Sequence, residues 1–248
     1  MKILVVITTA FPSTGGLTTV MMNYYRAMNK EGLKIDFAST NVPSQSLLDE
    51  IHVEGSEYYQ LPPRKKIVSY FYRLRRLCKN YDLLHVHGNS STSVLELRAA
   101  YWAGVKRRIV HNHTSRSQHP WINLLLHPFF LMSYTKAIAC SDAAGEWLFG
   151  NKQYQILRNA IKVSCFHYDV SVRQQIRQLL GISDSTFLVG HVGKFMDAKN
   201  HPFVIAVFAE IHRLIPNSKL LLVGDGPLRG MVETAVKNLH VEDCVILV

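Results

Sequence analysis

Cysteine is scarce in these 248 residues: Cys78, Cys140, Cys165 and Cys244 stand far apart, with no CxxC spacing. That excludes a zinc ribbon and a disulfide framework, and makes a reducing cytoplasm the expected setting. Long apolar runs are lacking too. The longest, WINLLLHPFFLM over residues 121–132, is interrupted by His127 and Pro128 and is too short to span a bilayer. The N-terminal MKILVVITTAFP has no small-residue cleavage site and runs into a glycine loop, so it reads as a first strand rather than a signal peptide. Acids are few: 18 Asp and Glu face 28 Lys and Arg, a formal net charge of +10. Such an excess implies an anionic partner, which could be nucleic acid, an anionic membrane surface or a phosphorylated small molecule. No nucleic-acid-binding signature accompanies the charge, which ranks nucleic acid last.

What is present is enough apolar residue, 48%, for one large domain or two modest ones. Apolar strand-like runs alternate with helix-like stretches. KILVVITT is followed by the helix TTVMMNYYRAMNK and the strand KIDFAST, and then by the basic stretch RKKIVSYFYRLRRLCKN. The rhythm continues with the strand YDLLHVH, the helix SVLELRAAYWAG, the strand RRIVHNH, an apolar helix around residues 124–132, the strand KAIACS, a short helix ending near Gly150 and the strand YQILRNA. This predicts a parallel α/β fold whose strands are buried on both faces. The basic stretch reads either as a membrane-facing helix or as a surface helix. In the second reading Ile67, Tyr70, Phe71, Leu74 and Leu77 pack inward and the bases stay solvated. The pattern changes over residues 161–184, which predicts two domains, 1–165 and 166–248. The second series holds three strands (TFLVGHVG, SKLLLVG, CVILV) and two helices, half of a doubly wound domain, and is expected to be incomplete.

Ligands of open parallel sheets bind beyond the carboxyl ends of the strands, so the corners there are where chemistry is expected. In TTAFPSTGGLTTV, Gly15 and Gly16 allow close backbone approach, and Thr18 or Thr19 is positioned to cap a helix whose positive end faces an anion. HVHGNSS and HNHTS each place two histidines on one strand face, His85 with His87 and His111 with His113. With no Asp or Glu beside either pair, no metal centre is expected. His85 and His111 read as core or cleft histidines, His113 as the one to touch substrate. GHVGKFMDAKNH concentrates Gly193, Lys194, Lys199 and Asn200 between a strand and a helix. It is no P-loop, because Leu188 occupies the first glycine position and Phe195 follows the lysine. Gly224, Gly226 and Gly230 form GxGxxxG after a strand, a weak dinucleotide hint with no acid at the end of the next strand.

The ordered set GG, DLLHVHG, HNHTS, ILRNAI, VGKFMDAKNH and LLLVGDGPLR resembles the family 4 retaining glycosyltransferases, above all bacterial enzymes of capsular and exopolysaccharide assembly. The resemblance runs the length of the chain. It implies two Rossmann-like parallel-sheet domains facing a cleft (the GT-B fold), the N-terminal one (1–165) binding acceptor and the C-terminal one (166–248) binding the nucleotide sugar. It also implies metal-independent transfer with retention to a cell-surface glycan or lipid-linked acceptor, and peripheral contact with an anionic membrane at the inner face of the plasma membrane. No cofactor is implied; the nucleotide-diphosphate sugar is a substrate, a UDP-sugar being expected while uracil and guanine both remain open.

By the same resemblance Lys194 and Lys199 neutralise the departing diphosphate, which chemistry favours because preplaced cations stabilise developing negative charge. Gly15, Gly16, Gly193 and Asn200 line the phosphates, His113 stands near the transferred sugar, and Gly224 and Gly226 lie beside the nucleobase. The sequence departs from the pattern at three places. Lys194 stands where Arg is usual, Ala160 stands where NG is usual, and the chain ends before a later motif with two glutamates seven residues apart. The expectation is therefore a C-terminally truncated chain, its activity in doubt, with uncovered sheet edge and apolar surface. A non-catalytic binding or interaction module is the alternative; a paired-histidine metal hydrolase and an epimerase of the same architecture rank below it.

Overall fold

The computed structural model describes residues 1–9, 11, 15–117 and 119–248. The chain divides into two compact units, Met1–Cys165 and Phe166–Val248.

The first unit runs β1 (Lys2–Ile7), α1 (Gly16–Ala27), β2 (Lys34–Ser39), α2 (Gln45–Val53), β3 (Tyr58–Gln60), α3 (Ile67–Cys78), β4 (Leu83–Gly88), α4 (Val94–Trp102), β5 (Arg107–Asn112), α5 (Pro120–Leu131), β6 (Lys136–Ala139), α6 (Asp142–Phe149) and β7 (Gln155–Ile156). Its strands form one parallel sheet in the order β3-β2-β1-β4-β5-β6-β7. The chain steps outward from β1 to β3 and then returns to β4 on the other side of β1. Right-handed crossovers therefore put α1 and α2 on one face and α3 to α6 on the other.

Alternation along each strand feeds both layers. Leu4, Val6, Leu84, Val86 and Val110 pack with Tyr70, Leu74, Leu97, Phe130 and Leu148. Val5, Ile7, Ile35 and Phe37 pack with Met21, Met22, Tyr25, Leu47 and Ile51. The reversal between β1 and β4 creates the switch point where loops can splay apart to admit a ligand.

Several sequence expectations shift. Helix α2 and strand β3 were not anticipated, although Leu47 and Ile51 recur at helical spacing and both are buried. YQILRNA contributes only the two residues of β7. In α3 the inward side is Tyr70, Leu74 and Cys78; Ile67 is exposed, and Phe71 and Leu77 are half-buried. Ile67 sits in the first turn, before the helix reaches the sheet.

The second unit runs α7 (Val170–Leu179), β8 (Phe187–Val192), α8 (His201–Leu214), β9 (Ser218–Val223), α9 (Arg229–Asn238) and β10 (Val245–Leu247), with the parallel order β10-β9-β8. Both crossovers step the same way, so α8 and α9 share one face and build a core of Phe195, Ile205, Phe208, Leu220, Leu222, Val232 and Val236. Burial of strands on both faces, expected throughout, holds for β1, β2 and β4 of the first unit, but not for its edge strands β3 and β7 and not here. The burial of β9 alternates, and β8 exposes Phe187 and Val192.

Candidate active site

In the second unit, β8 hands over to α8 through Gly193–Asn200. Phe195 points down and is fully buried, pinning the middle of the loop, while Lys194 and Lys199 on either side point out and are exposed. Neither lysine makes a salt bridge among the described residues. A short turn, Asp197–Lys199, ends at Asn200 in the left-handed conformation (φ 46°, ψ 50°), and α8 starts with no side-chain cap at that residue. The result is a basic corner with an open helix N-terminus at the carboxyl end of a parallel strand, suited to an anion.

A second loop, after β9, interlocks with this one. Gly193 N–H donates to the Val223 carbonyl (3.0 Å), and Phe195 N–H to that of Asp225 (3.0 Å). At Gly224, which has φ +147°, a Cβ would lie 2.3 Å from the Gly193 carbonyl oxygen; at Gly226 it would lie 2.5 Å from that of Phe195. These two glycines are thus required by backbone-on-backbone packing beneath the lysine corner, a role that sequence spacing did not reveal. Sequence reading also missed His201. It is buried, packs edge-on against Phe195 (4.7 Å) and His191 (4.9 Å), and its Nε2 has no partner among the described residues. Burial, seconded by the charge of His191, pushes its pKa down.

In the first unit, strand register explains a cluster that sequence reading split in two. Val5 pairs with His85, Ile7 with His87, and His87 with His111. Paired residues on parallel strands face one way, so His85, His87 and His111 share the α1 side with Val5 and Ile7, and His113 follows two residues on. His87 Nδ1 and His113 Nε2 lie 2.9 Å apart, and the rings of His111 and His113 are 4.1 Å apart. Burial is the chief cause that holds all four neutral: His85 and His113 fall to about 4, His111 to about 2, and His87 well below its ordinary value. Asn112, fully buried, donates to the carbonyls of Thr114 and Ala144 (both 2.7 Å), fixing the turn that presents His113.

The ring nitrogens of His85, His87 and His111 lie within 4.8 Å of one another, the donor set of a transition-metal site. The two pairs on which the expectation of no metal rested are therefore one group. One nitrogen of His87 is already engaged by His113. Beneath the cluster, between the sheet and α1, lies an apolar cavity of about 210 Å³ reached by Met21, Tyr25 and Leu157.

At the carboxyl ends of β1, β4 and β5 opens a larger cavity of about 560 Å³, lined by Thr8, Asn89, Ser90, Arg64, Arg116 and His119 among others. Arg64 grips Glu96 with two hydrogen bonds (2.9 and 3.2 Å), and Glu96, fully buried, also accepts from Tyr70 (2.8 Å). Glu96 lies behind the wall and balances Arg64; among the described residues no Asp or Glu lines the cavity, and Arg116 leaves its hydroxyl-rich surface cationic. Sequence reading did not anticipate this cavity.

Helix α1 begins at Gly16 with Gly15 as its cap residue, and no side chain caps it. Thr18 and Thr19 were expected as caps, but both lie inside the first turns, and Thr18 Oγ1 is buried without a partner among the described residues. Among the described residues nothing lies within 4 Å of where a Cβ at Gly16 would stand. Residues 10 and 12–14 of the same motif lie outside the described residues.

Residues 14–162, more than half of the chain, match the sequence model of glycosyltransferase family 4. The chain belongs to glycosyltransferase family 4. Among relatives of this family member are EpsF of Bacillus subtilis (strain 168), named as a glycosyltransferase, and the N-acetyl-alpha-D-glucosaminyl L-malate synthase of Bacillus anthracis. The first is 27% identical over 240 residues, covering 90% of this chain and 62% of that protein. The second is 27% identical over 255 residues, covering 96% and 66%. The chain thus spans less than two thirds of the length of either relative.

Among solved structures the family fold recurs in Anabaena HepE in complex with UDP-glucose. The TM-score is 0.77 at 17% identity, over 100% of this chain and 68% of that one. No helix of the described residues is long and apolar enough to cross a membrane.

Proposed function

We propose that the protein transfers a sugar from a nucleoside-diphosphate sugar, a UDP-sugar, to a cell-surface glycan or lipid-linked acceptor with retention of configuration. The single observation that carries this reading is the corner after β8, where Lys194 and Lys199 stand exposed and unbridged around an uncapped helix start. Family membership and the UDP-glucose held by the structural relative HepE support it.

In this reading the second unit takes the donor. An acceptor hydroxyl oxygen bonds to the anomeric carbon, the bond from that carbon to the phosphate oxygen breaks, and the electron pair leaves with the nucleoside diphosphate, which takes up the hydroxyl proton. Lys194 and Lys199 stabilise the charge that appears on the leaving group, each charge-assisted contact contributing on the order of 1.5–3 kcal/mol. Gly193 and Asn200 leave the loop backbone accessible to phosphate, Gly224 and Gly226 shape the neighbouring loop beside the base, and Gly15 and Gly16 offer a second open helix start. His113, neutral and hydrogen-bonded to His87, serves the transferred sugar as a hydrogen-bonding group without adding charge. The cationic cavity of the first unit suits an acceptor with an anionic group beside the reacting hydroxyl, Arg116 and His119 being the exposed donors.

The test is thermal denaturation of the whole chain with UDP, GDP and UDP-sugars. UDP is expected to raise the Tm, and Lys199→Ala to remove most of the shift while leaving the unliganded Tm in place. No shift with either nucleotide in either protein would overturn the donor site and favour a non-catalytic binding module. The anomeric configuration of the product, read by NMR, tests retention.

A further inference from the structure

The hydrogen bond between His87 and His113 uses only part of the histidine cluster. His111 is 1% exposed, yet neither of its ring nitrogens has a partner among the described residues, and His85 Nε2 is likewise buried and unpartnered. Buried polar atoms are nearly always satisfied, because water is lost on burial and something must replace it. Three such atoms on neighbouring strands call for a group that satisfies them together.

There is room for one. His85, His87 and His111 form the polar part of the lining of the 210 Å³ cavity between the sheet and α1. The rest is apolar and buried: Val5, Ile35 and Phe37 from the strands, Met21 and Tyr25 from α1. Tyr25 commits its hydroxyl to Ser56 (2.7 Å), so it offers the cavity its ring. Met28 and Leu157 also line the space and are each more than a third exposed, which makes it reachable from solvent. The segment after Leu157 is tied to α1, since the Tyr24 hydroxyl donates to the Arg158 carbonyl and Asn23 Nδ2 to that of Ala160 (2.9 Å).

The lining says what fits. Ring nitrogens of the three histidines lie within 4.8 Å of one another, so a single oxygen placed among them reaches all three at hydrogen-bond distance. Burial keeps these imidazoles neutral, and a neutral imidazole offers one N–H and one lone pair. A hydroxyl, which both donates and accepts, matches that set. An anion would find no Lys or Arg in the lining, and an ammonium group no carboxylate. An apolar cavity of about 150 Å³ takes benzene, so this one has space for a ring with a hydroxyl and a short alkyl group. The rings of Tyr25 and Phe37 and the sulfurs of Met21 and Met28 favour an aromatic occupant.

We propose that this cavity is a binding site for a small neutral phenol, its ring between α1 and the sheet and its hydroxyl among His85, His87 and His111. A phenol keeps its proton at neutral pH, as a tyrosine side chain does, and so brings no charge into the interior. His87 also bonds His113, so an occupant sits one imidazole away from the loop that the transfer reading gives to the sugar. The site itself does not depend on that reading.

The test is calorimetric titration and thermal denaturation of the whole chain at neutral pH with two probes of nearly the same shape, 4-ethylphenol and ethylbenzene. Saturable one-to-one binding of 4-ethylphenol that raises the Tm is expected, with ethylbenzene bound about tenfold more weakly, a difference of about 1.4 kcal/mol. His111→Leu is expected to remove most of that preference without lowering the unliganded Tm, because the nitrogens it deletes have no partner to lose. Ile35→Phe, which fills the cavity, is expected to abolish binding of both probes, its unliganded Tm verifying the fold. Should either variant lose its cooperative transition, the two probes on the unaltered chain decide alone. Failure of 4-ethylphenol to bind, equal affinity for the two probes, or binding indifferent to both variants would overturn the proposal. So would a stoichiometric metal ion lost in His111→Leu, which would give the imidazoles to the metal. No nucleotide enters any arm, so failure here leaves the transfer reading standing, and failure of nucleotide binding leaves this site standing.

Discussion

His87 Nδ1 sits 2.9 Å from His113 Nε2, joining the interior of the first unit to the loop where substrate is expected. One imidazole must donate and the other accept, so the pair works only while at least one ring stays neutral at the shared position. Burial and neighbouring imidazoles ensure that, since all four histidines are held below their ordinary pKa.

A pH dependence of stability follows with a definite sign. The folded chain resists protonation of His85 and His113 down to about 4, whereas the unfolded chain takes up those protons near the ordinary value of 6.5. Between those limits the unfolded state binds more protons, so stability is full above about pH 6.5 and falls as pH drops toward 4. His111, at about 2, extends the loss further. Urea denaturation from pH 7 to pH 4 should show this decline, and His85→Asn should make it shallower. A flat profile would mean that the cluster is solvated.

The same cluster sets a second test. Its three mutually close imidazoles include no carboxylate to balance a dication, and His87 is already engaged. Elemental analysis of protein purified without chelator is expected to show no stoichiometric zinc, copper or nickel. A stoichiometric ion lost in His111→Ala would reassign the cluster as a metal centre.

Glycines of the second unit should divide sharply. Gly226→Ala drives a methyl to within 2.5 Å of the Phe195 carbonyl oxygen and should cost on the order of 1–3 kcal/mol, with the lysine corner displaced. Gly230→Ala, with open space around it in the first turn of α9, should be neutral or stabilising by up to about 1 kcal/mol. Thermal denaturation of the two variants distinguishes a packed interlock from a loose loop.

Arg64→Met removes the partner of a carboxylate with no exposure to water. The loss should be on the order of 2 kcal/mol, below that of a fully buried pair because Arg64 keeps some contact with solvent. Adding Glu96→Gln, which can still accept from Tyr70, should recover part of it; denaturant midpoints of both variants measure the coupling.

The parallel α/β class, the order of most elements and the lysine corner were legible in local sequence, because runs such as ILVV, LLHV and LLLV and the helices between them carry their own periodicity. So was family membership, through motifs in fixed order. Register and direction of crossover were not legible, since they depend on which strands become neighbours. That β4 lies beside both β1 and β5 turns two histidine pairs into one buried cluster. That β8 and β9 lie side by side makes Gly224 and Gly226 packing necessities. Only the packed fold could decide which face of PWINLLLHPFFL turns inward: composition says the helix is apolar, but the hold of Ser91 on Asn123 and His127 sends Trp121 and Leu125 outward.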